Sequence, residues 1–124
     1  MRDAEGWEEW RSAWQRALYG PAGFYRREQP HDHFRTAVSA STLFAEAVLT
    51  FLRQEGVSSV TDLGAGDGRL LAHLRRLAPD LALTGVDLRK RPTGLDPSIG
   101  WQRELPAAMT GLVLANELLD NVPC

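Results

Sequence analysis

Three glycines at alternate positions, Gly64, Gly66 and Gly68, lie between an apolar run and an amphipathic one, with Asp62 before them and Asp67 among them. That spacing lets a backbone turn sharply and approach a ligand where a Cβ would intrude. A helix beginning just beyond offers unpaired N–H groups to the same ligand. Nineteen residues past Gly68, Asp87 stands at the end of the next apolar run, Leu81 to Leu88. In open α/β sheets an acid at that place accepts hydrogen bonds from ribose hydroxyls. The constellation is that of a site for a nucleoside-containing cofactor, with Ala65 in the loop and Leu88 after Asp87 counted among its residues.

Charge narrows the choice of cofactor. A dinucleotide fingerprint has its third glycine three residues after the second, where Arg69 stands here. Asp62 and Asp67 would repel a pyrophosphate, and a Walker lysine is absent, Lys90 being the only lysine. Two carboxylates suit a ligand that carries an ammonium, a sulfonium and a single carboxylate. S-adenosylmethionine is therefore expected, and NAD and ATP are disfavoured.

Periodicity predicts the elements that must position these residues. Trp7, Trp10, Trp14 and Leu18 share one face of a helix from Gly6 to Leu18. It is expected to end at Tyr19-Gly20-Pro21, through a glycine suited to a left-handed C-cap and a proline that cannot continue a helix. The aromatic stripe reads as core or domain contact rather than as a cofactor box. Gly20 to Ala40 reads as irregular. A second helix is expected from Ser41, its N-cap, to Gln54, with Leu43, Phe44, Ala47, Val48, Phe51 and Leu52 on one apolar face and Gly56 closing it. Val57 to Leu63 reads as a strand, Gly68 to Leu77 as a helix stopped by Pro79, and Leu81 to Leu88 as a strand. After a loop from Arg89 to Ser98 come a short strand, Ile99 to Gln102, and a buried-type strand, Gly111 to Ala115. This order predicts a Rossmann-like α/β domain, a parallel sheet covered by helices.

Composition excludes several classes of function. With 124 residues, 44% of them hydrophobic and 24% charged, the chain has the balance of one soluble globular domain. A net charge of -2 supplies no basic field for nucleic acid. No apolar run approaches the ~18 residues of a membrane span, and the start MRDAEGWEEW reads as neither signal nor transit peptide. The single cysteine, Cys124, excludes an internal disulfide and a cysteine zinc cluster, so a reducing, cytoplasmic setting is expected. His31 and His33, flanking Asp32, read as exposed loop residues, and no metal is expected.

Glu117 and Asp120 follow the last strand at its carboxyl end, where α/β folds bind ligands. A carboxylate there can accept hydrogen bonds from a bound substrate, and Asn116 can add a polar contact to substrate or cofactor. The alternative is helix capping, with Asn116 before a helix and Glu117 in its first turn.

The run Asp62-Leu63-Gly64-Ala65-Gly66-Asp67-Gly68 resembles motif I of class I S-adenosylmethionine-dependent methyltransferases, and Gly85-Val86-Asp87 resembles the acidic motif that follows it. Three further segments resemble the MidA-like methyltransferases, a family that includes a protein arginine methyltransferase. They are Tyr19-Gly20-Pro21-Ala22-Gly23-Phe24-Tyr25, Asp32-His33-Phe34-Arg35-Thr36-Ala37 and Ala115-Asn116-Glu117-Leu118-Leu119-Asp120-Asn121-Val122-Pro123. The resemblance implies methyl transfer to a protein arginine, Phe34 and Thr36 lining the cofactor pocket, Asp62 near the cofactor ammonium, Asp87 on its ribose, and Glu117 with Asp120 as catalytic carboxylates. It also implies a helical extension over residues 1–56 and a cofactor-binding domain over 57–124, truncated after the fourth strand. A cofactor-binding assembly module or fragment without turnover is the alternative.

Overall fold

Four short apolar runs, bounded by glycine and proline, pair as strands of one parallel sheet in a computed structural model that describes residues 6–28 and 41–124. The strands are β1 (Ser59–Leu63), β2 (Ala82–Val86), β3 (Gly100–Gln102) and β4 (Leu112–Leu114), in the order β3-β2-β1-β4. From β1 the chain moves outward through β2 to β3, then returns to place β4 on the other side of β1. The order therefore reverses between β1 and β4, and in open α/β sheets the crevice beyond such a reversal is where ligands bind.

Register fixes which side chains share a face. Asp62 pairs with Gly85 and with Leu114, and Gly85 pairs with Trp101. A Cβ on Gly85 would lie 2.6 Å from the Trp101 ring and 3.0 Å from Leu71, so glycine is required where the indole crosses the strand. Leu71 belongs to α4 (Arg69–Leu77), which with α3 (Leu43–Glu55) supplies the helical cover. Ala45, Val48, Leu49 and Leu52 of α3, Val60 and Leu83 of the sheet, and Leu70, Leu71 and Leu74 of α4 form one buried core.

The face that α3 buries differs from the expected one. Leu43 is 70% exposed and Phe51 47%, while Ala45 and Leu49 are buried in their place. The helix is rotated by about one residue, roughly 100°, which puts Ala45 and Leu49 beside Val48 and Leu52 in the core. The N-cap is Thr42 rather than the expected Ser41, whose hydroxyl accepts from the Leu43 N–H at 2.9 Å one residue earlier, and Gly56 ends the helix in the left-handed conformation. β4 lies where a strand was expected, but Val113 is 41% exposed and Leu112 and Leu114 are half-buried. A buried-type composition here sits at the outer edge of the described strands.

A second compact unit gathers α1 (Trp10–Tyr19), α2 (Phe24–Arg27) and a terminal 3-10 turn (Leu119–Asn121). The sheet unit includes α3. Trp7 lies outside α1, which starts only after Glu9 in extended conformation. Trp7 and Trp10 are each 72% exposed, and α1 buries no residue. The helix stops at Tyr19 as expected, but Gly20 is extended rather than left-handed. The proline that follows disfavours helical backbone at Gly20, and a Cβ there would lie 2.5 Å from the Arg16 carbonyl oxygen. The stretch expected to be irregular contains the short α2, whose Phe24 meets Tyr25 edge-on at 5.1 Å while Tyr25 stacks on Tyr19 at 5.6 Å.

Candidate cofactor site

The loop between β1 and α4 uses its glycines for backbone conformation: φ is +73° at Gly64, +60° at Gly66 and +74° at Gly68. Each is in the left-handed region that residues with a Cβ adopt at a penalty. The loop is tied to the end of β2, where the Val86 carbonyl accepts from the N–H groups of Gly64 at 2.8 Å and Ala65 at 3.2 Å. The Gly68 N–H donates to the Ala65 carbonyl at 2.9 Å and closes the turn. Ala65 is buried, and a Cβ added at Gly66 would meet nothing within 4 Å.

Asp87 joins the two strand ends. Its Oδ2 accepts from the Gly66 N–H at 2.8 Å and its Oδ1 from the Arg89 N–H at 2.9 Å. Each carboxylate oxygen has two lone pairs, so one on each remains for a further donor. Leu88, next along the chain, is 58% exposed, and its carbonyl accepts from Arg103 Nε at 2.9 Å.

Asp62, in β1, is 5% exposed. No described residue donates a hydrogen bond to it, and burial, reinforced by the nearby Asp87 charge, pushes its pKa up to about 7. Such a carboxyl favours whatever brings it a cation or a donor. Asp67 behaves differently. Its Oδ1 accepts from the Arg69 N–H at 3.1 Å, and the Arg69 guanidinium lies 3.1 Å from Oδ2, so its charge is already met locally at the start of α4. The electrostatic preference of the site rests on Asp62 and Asp87.

The fold thus brings together Asp62, Gly64, Ala65, Gly66, Gly68 and Asp87, and places Asn116, half-buried, just beyond the carboxyl end of β4. Glu117 and Asp120 are exposed and are grouped with the other unit. The helix-cap alternative for Asn116 and Glu117 does not describe this segment. Glu117 has φ +52°, making it the one left-handed non-glycine among the described residues, and only a 3-10 turn follows. The Asn121 side-chain amide donates to the Glu117 carbonyl at 3.1 Å, and the Tyr19 hydroxyl donates to the Asn121 carbonyl at 2.5 Å. Phe34, Thr36, His31 and His33 lie outside the described residues. Among the described residues no group of three or more histidine, cysteine or acidic side chains could hold a metal, and no helix is long and apolar enough to cross a membrane.

No protein-family model and no curated protein matches the sequence. Solved structures do. One is a COG1565 superfamily member from Burkholderia thailandensis, inferred to be a methyltransferase and bound to S-adenosyl-homocysteine. It is 29% identical, with a TM-score of 0.71, over 97% of this chain and 39% of that one. This is a class I methyltransferase fold. A second structure of a COG1565 superfamily protein from the same organism matches with a TM-score of 0.66 and 29% identity over 97% of this chain and 37% of its own. The chain therefore spans about two-fifths of the length of these neighbours. The parallel sheet, its strand reversal and the glycine turn after β1 are the parts of the methyltransferase fold present in the described residues.

Three residues that support the loop carried no signal in the sequence. Arg91, Pro92 and Leu95 belong to a segment that reads as a proline- and glycine-broken loop, yet Pro92 and Leu95 pack against Gly68. Their spacing has no period that points to such a contact.

Proposed function

We propose that this chain binds S-adenosylmethionine and is the cofactor-binding part of a cytoplasmic MidA-like methyltransferase that acts on protein arginine. The observation that carries this reading is Asp62, a buried carboxyl with no donor of its own two residues before a glycine turn tied to Asp87. A diphosphate at that place would face two acids, whereas an ammonium would supply Asp62 with the partner it lacks. The neighbour crystallised with S-adenosyl-homocysteine, 29% identical over 97% of this chain, adds support.

In this reading Asp62 holds the cofactor ammonium and the free lone pairs of Asp87 accept from the ribose hydroxyls. Gly64, Gly66 and Gly68, with Ala65, form the wall against which the methionyl part lies, while Leu88, Phe34, Thr36 and Asn116 complete the pocket. The bound cofactor supplies a methyl group on a positively charged sulfur. Glu117 accepts from two guanidinium N–H groups of the acceptor, which fixes the plane of the guanidinium and orients the nitrogen to be methylated. Asp120 supports the same cation.

Calorimetry with S-adenosyl-homocysteine and NAD tests the cofactor. Binding of the former in clear preference is expected, and equal or tighter NAD binding would overturn the reading. Methyl-labelled cofactor with arginine-containing protein tests transfer, and Glu117→Gln should reduce it about 100-fold with unchanged cofactor affinity. Cofactor binding without any transfer would leave this chain as a binding module without turnover of its own.

A further inference from the structure

The loop between β2 and β3 is organised by one side chain. The Arg91 guanidinium donates to three backbone carbonyls, those of Ile99, of Leu95 at 3.1 Å and of Asp96 at 2.6 Å. A planar fork of five donors can meet three converging acceptors, which a single ammonium on a flexible stem does less well. Within the loop, Asp96 Oδ1 accepts from the Ser98 N–H at 2.9 Å and from the Ser98 hydroxyl. Ile99, 1% exposed, anchors the far end in the core.

Held in this form, the loop leans on the glycine turn. A Cβ on Gly68 would lie 3.1 Å from Leu95 Cδ1 and 3.6 Å from Pro92 Cγ. Gly68 is the hinge of the site. Its N–H closes the turn on Ala65, and its carbonyl accepts from the Ala72 N–H at 2.9 Å, the first bond of α4. Whatever steadies Gly68 steadies both the left-handed turn and the start of the helix.

We infer that Arg91 is a positioning residue for cofactor binding, acting through Leu95 and Pro92 to hold Gly68 and the glycine turn in their binding conformation. The functional half of this inference rests on the cofactor reading above. Arg91 is itself exposed, and its bonds are made at the surface. Its loss should therefore change the loop more than global stability. Apparent affinity falls in proportion to the fraction of molecules with the turn preformed.

The test uses the full chain and two readouts, amide hydrogen exchange at Gly68 without ligand and calorimetric affinity for S-adenosyl-homocysteine. Arg91→Ala should speed Gly68 exchange and weaken binding, each about tenfold, with melting temperature little changed. Arg91→Lys should fall between Arg91→Ala and the parent. Leu95→Ala, which keeps the guanidinium contacts, should reproduce both losses, and the double variant should be no worse than the larger single one. Parent-like exchange at Gly68 in both single variants would overturn the inference, as would faster exchange with unchanged affinity. A parent that binds no S-adenosyl-homocysteine sinks the cofactor reading instead, and that failure is separable because exchange at Gly68 is read in the ligand-free protein.

Discussion

The glycine turn after β1 and the turn carrying Glu117 after β4 both depend on left-handed backbone, and they obtain it by different means. In the first, all three left-handed residues are glycines, and the Val86 carbonyl, the Ala65 carbonyl and Asp87 hold their N–H groups. No Cβ is forced into an unfavourable place. In the second, the left-handed residue is a glutamate, at a penalty of roughly 1–2 kcal/mol. The Asn121 amide holds its carbonyl, and Tyr19 in turn holds Asn121. Where backbone N–H groups and open space form the site, glycine suffices. Where a residue with a side chain takes that conformation, hydrogen bonds to its backbone and to that of its neighbours offset the strain.

The largest expected effect lies at the first region. Asp62 has a folded-state pKa of about 7 against an ordinary 3.8. The folded state therefore binds more protons than the unfolded state between those values, and stability falls as pH rises from about 4 to about 7. Below pH 4 the carboxyl is protonated in both states and the penalty is absent. Denaturant melts of the parent relative to Asp62→Asn should show a pH-dependent difference of roughly 4 kcal/mol across that window, with the variant the steadier at pH 8 and the poorer cofactor binder. Parallel stability profiles would mean that Asp62 is solvated in the free protein.

Asp87 should give the next largest effect, because it serves both the turn and the ligand. Asp87→Ala should weaken S-adenosyl-homocysteine binding by about 2–3 kcal/mol, and Asp87→Glu should retain part of the affinity. Calorimetry that finds the alanine variant equal to the parent would leave Asp87 as a strap on Gly66 alone. The smallest effect belongs to the second region. Glu117→Gly should raise stability by about 1 kcal/mol without altering cofactor affinity, and a loss of stability would show that the Glu117 side chain is not strained where it stands.

Much of the first region was legible because its signals are local. Glycine spacing, the apolar run before it and the acid ending the next run each report on a few neighbouring residues, and the fold joins them through the Gly66–Asp87 bond. The parallel sheet follows from apolar runs alternating with a helical pattern, and the comparison with solved structures agrees with it. What stayed hidden depends on residues distant in sequence. Periodicity alone cannot decide between two apolar stripes one residue apart on α3, since the choice is made by what the helix packs against. Nor does composition distinguish a buried strand from an edge one at β4, where only the neighbouring strand matters. Gly20 shows a third limit. Helix termination there was foreseeable, but the reason was the Arg16 carbonyl and the following proline rather than a left-handed cap.

In the proposed reading the site takes a cofactor bearing an ammonium, which ionises Asp62 as it binds. Calorimetric titration of the chain with S-adenosyl-homocysteine at pH 7, in two buffers of different ionisation enthalpy, measures the protons exchanged. With Asp62 half protonated in the free protein, binding should release about half a proton per cofactor, and Asp62→Asn should release none. Equal proton release from parent and Asp62→Asn, or tighter binding of NAD than of S-adenosyl-homocysteine, would contradict the account.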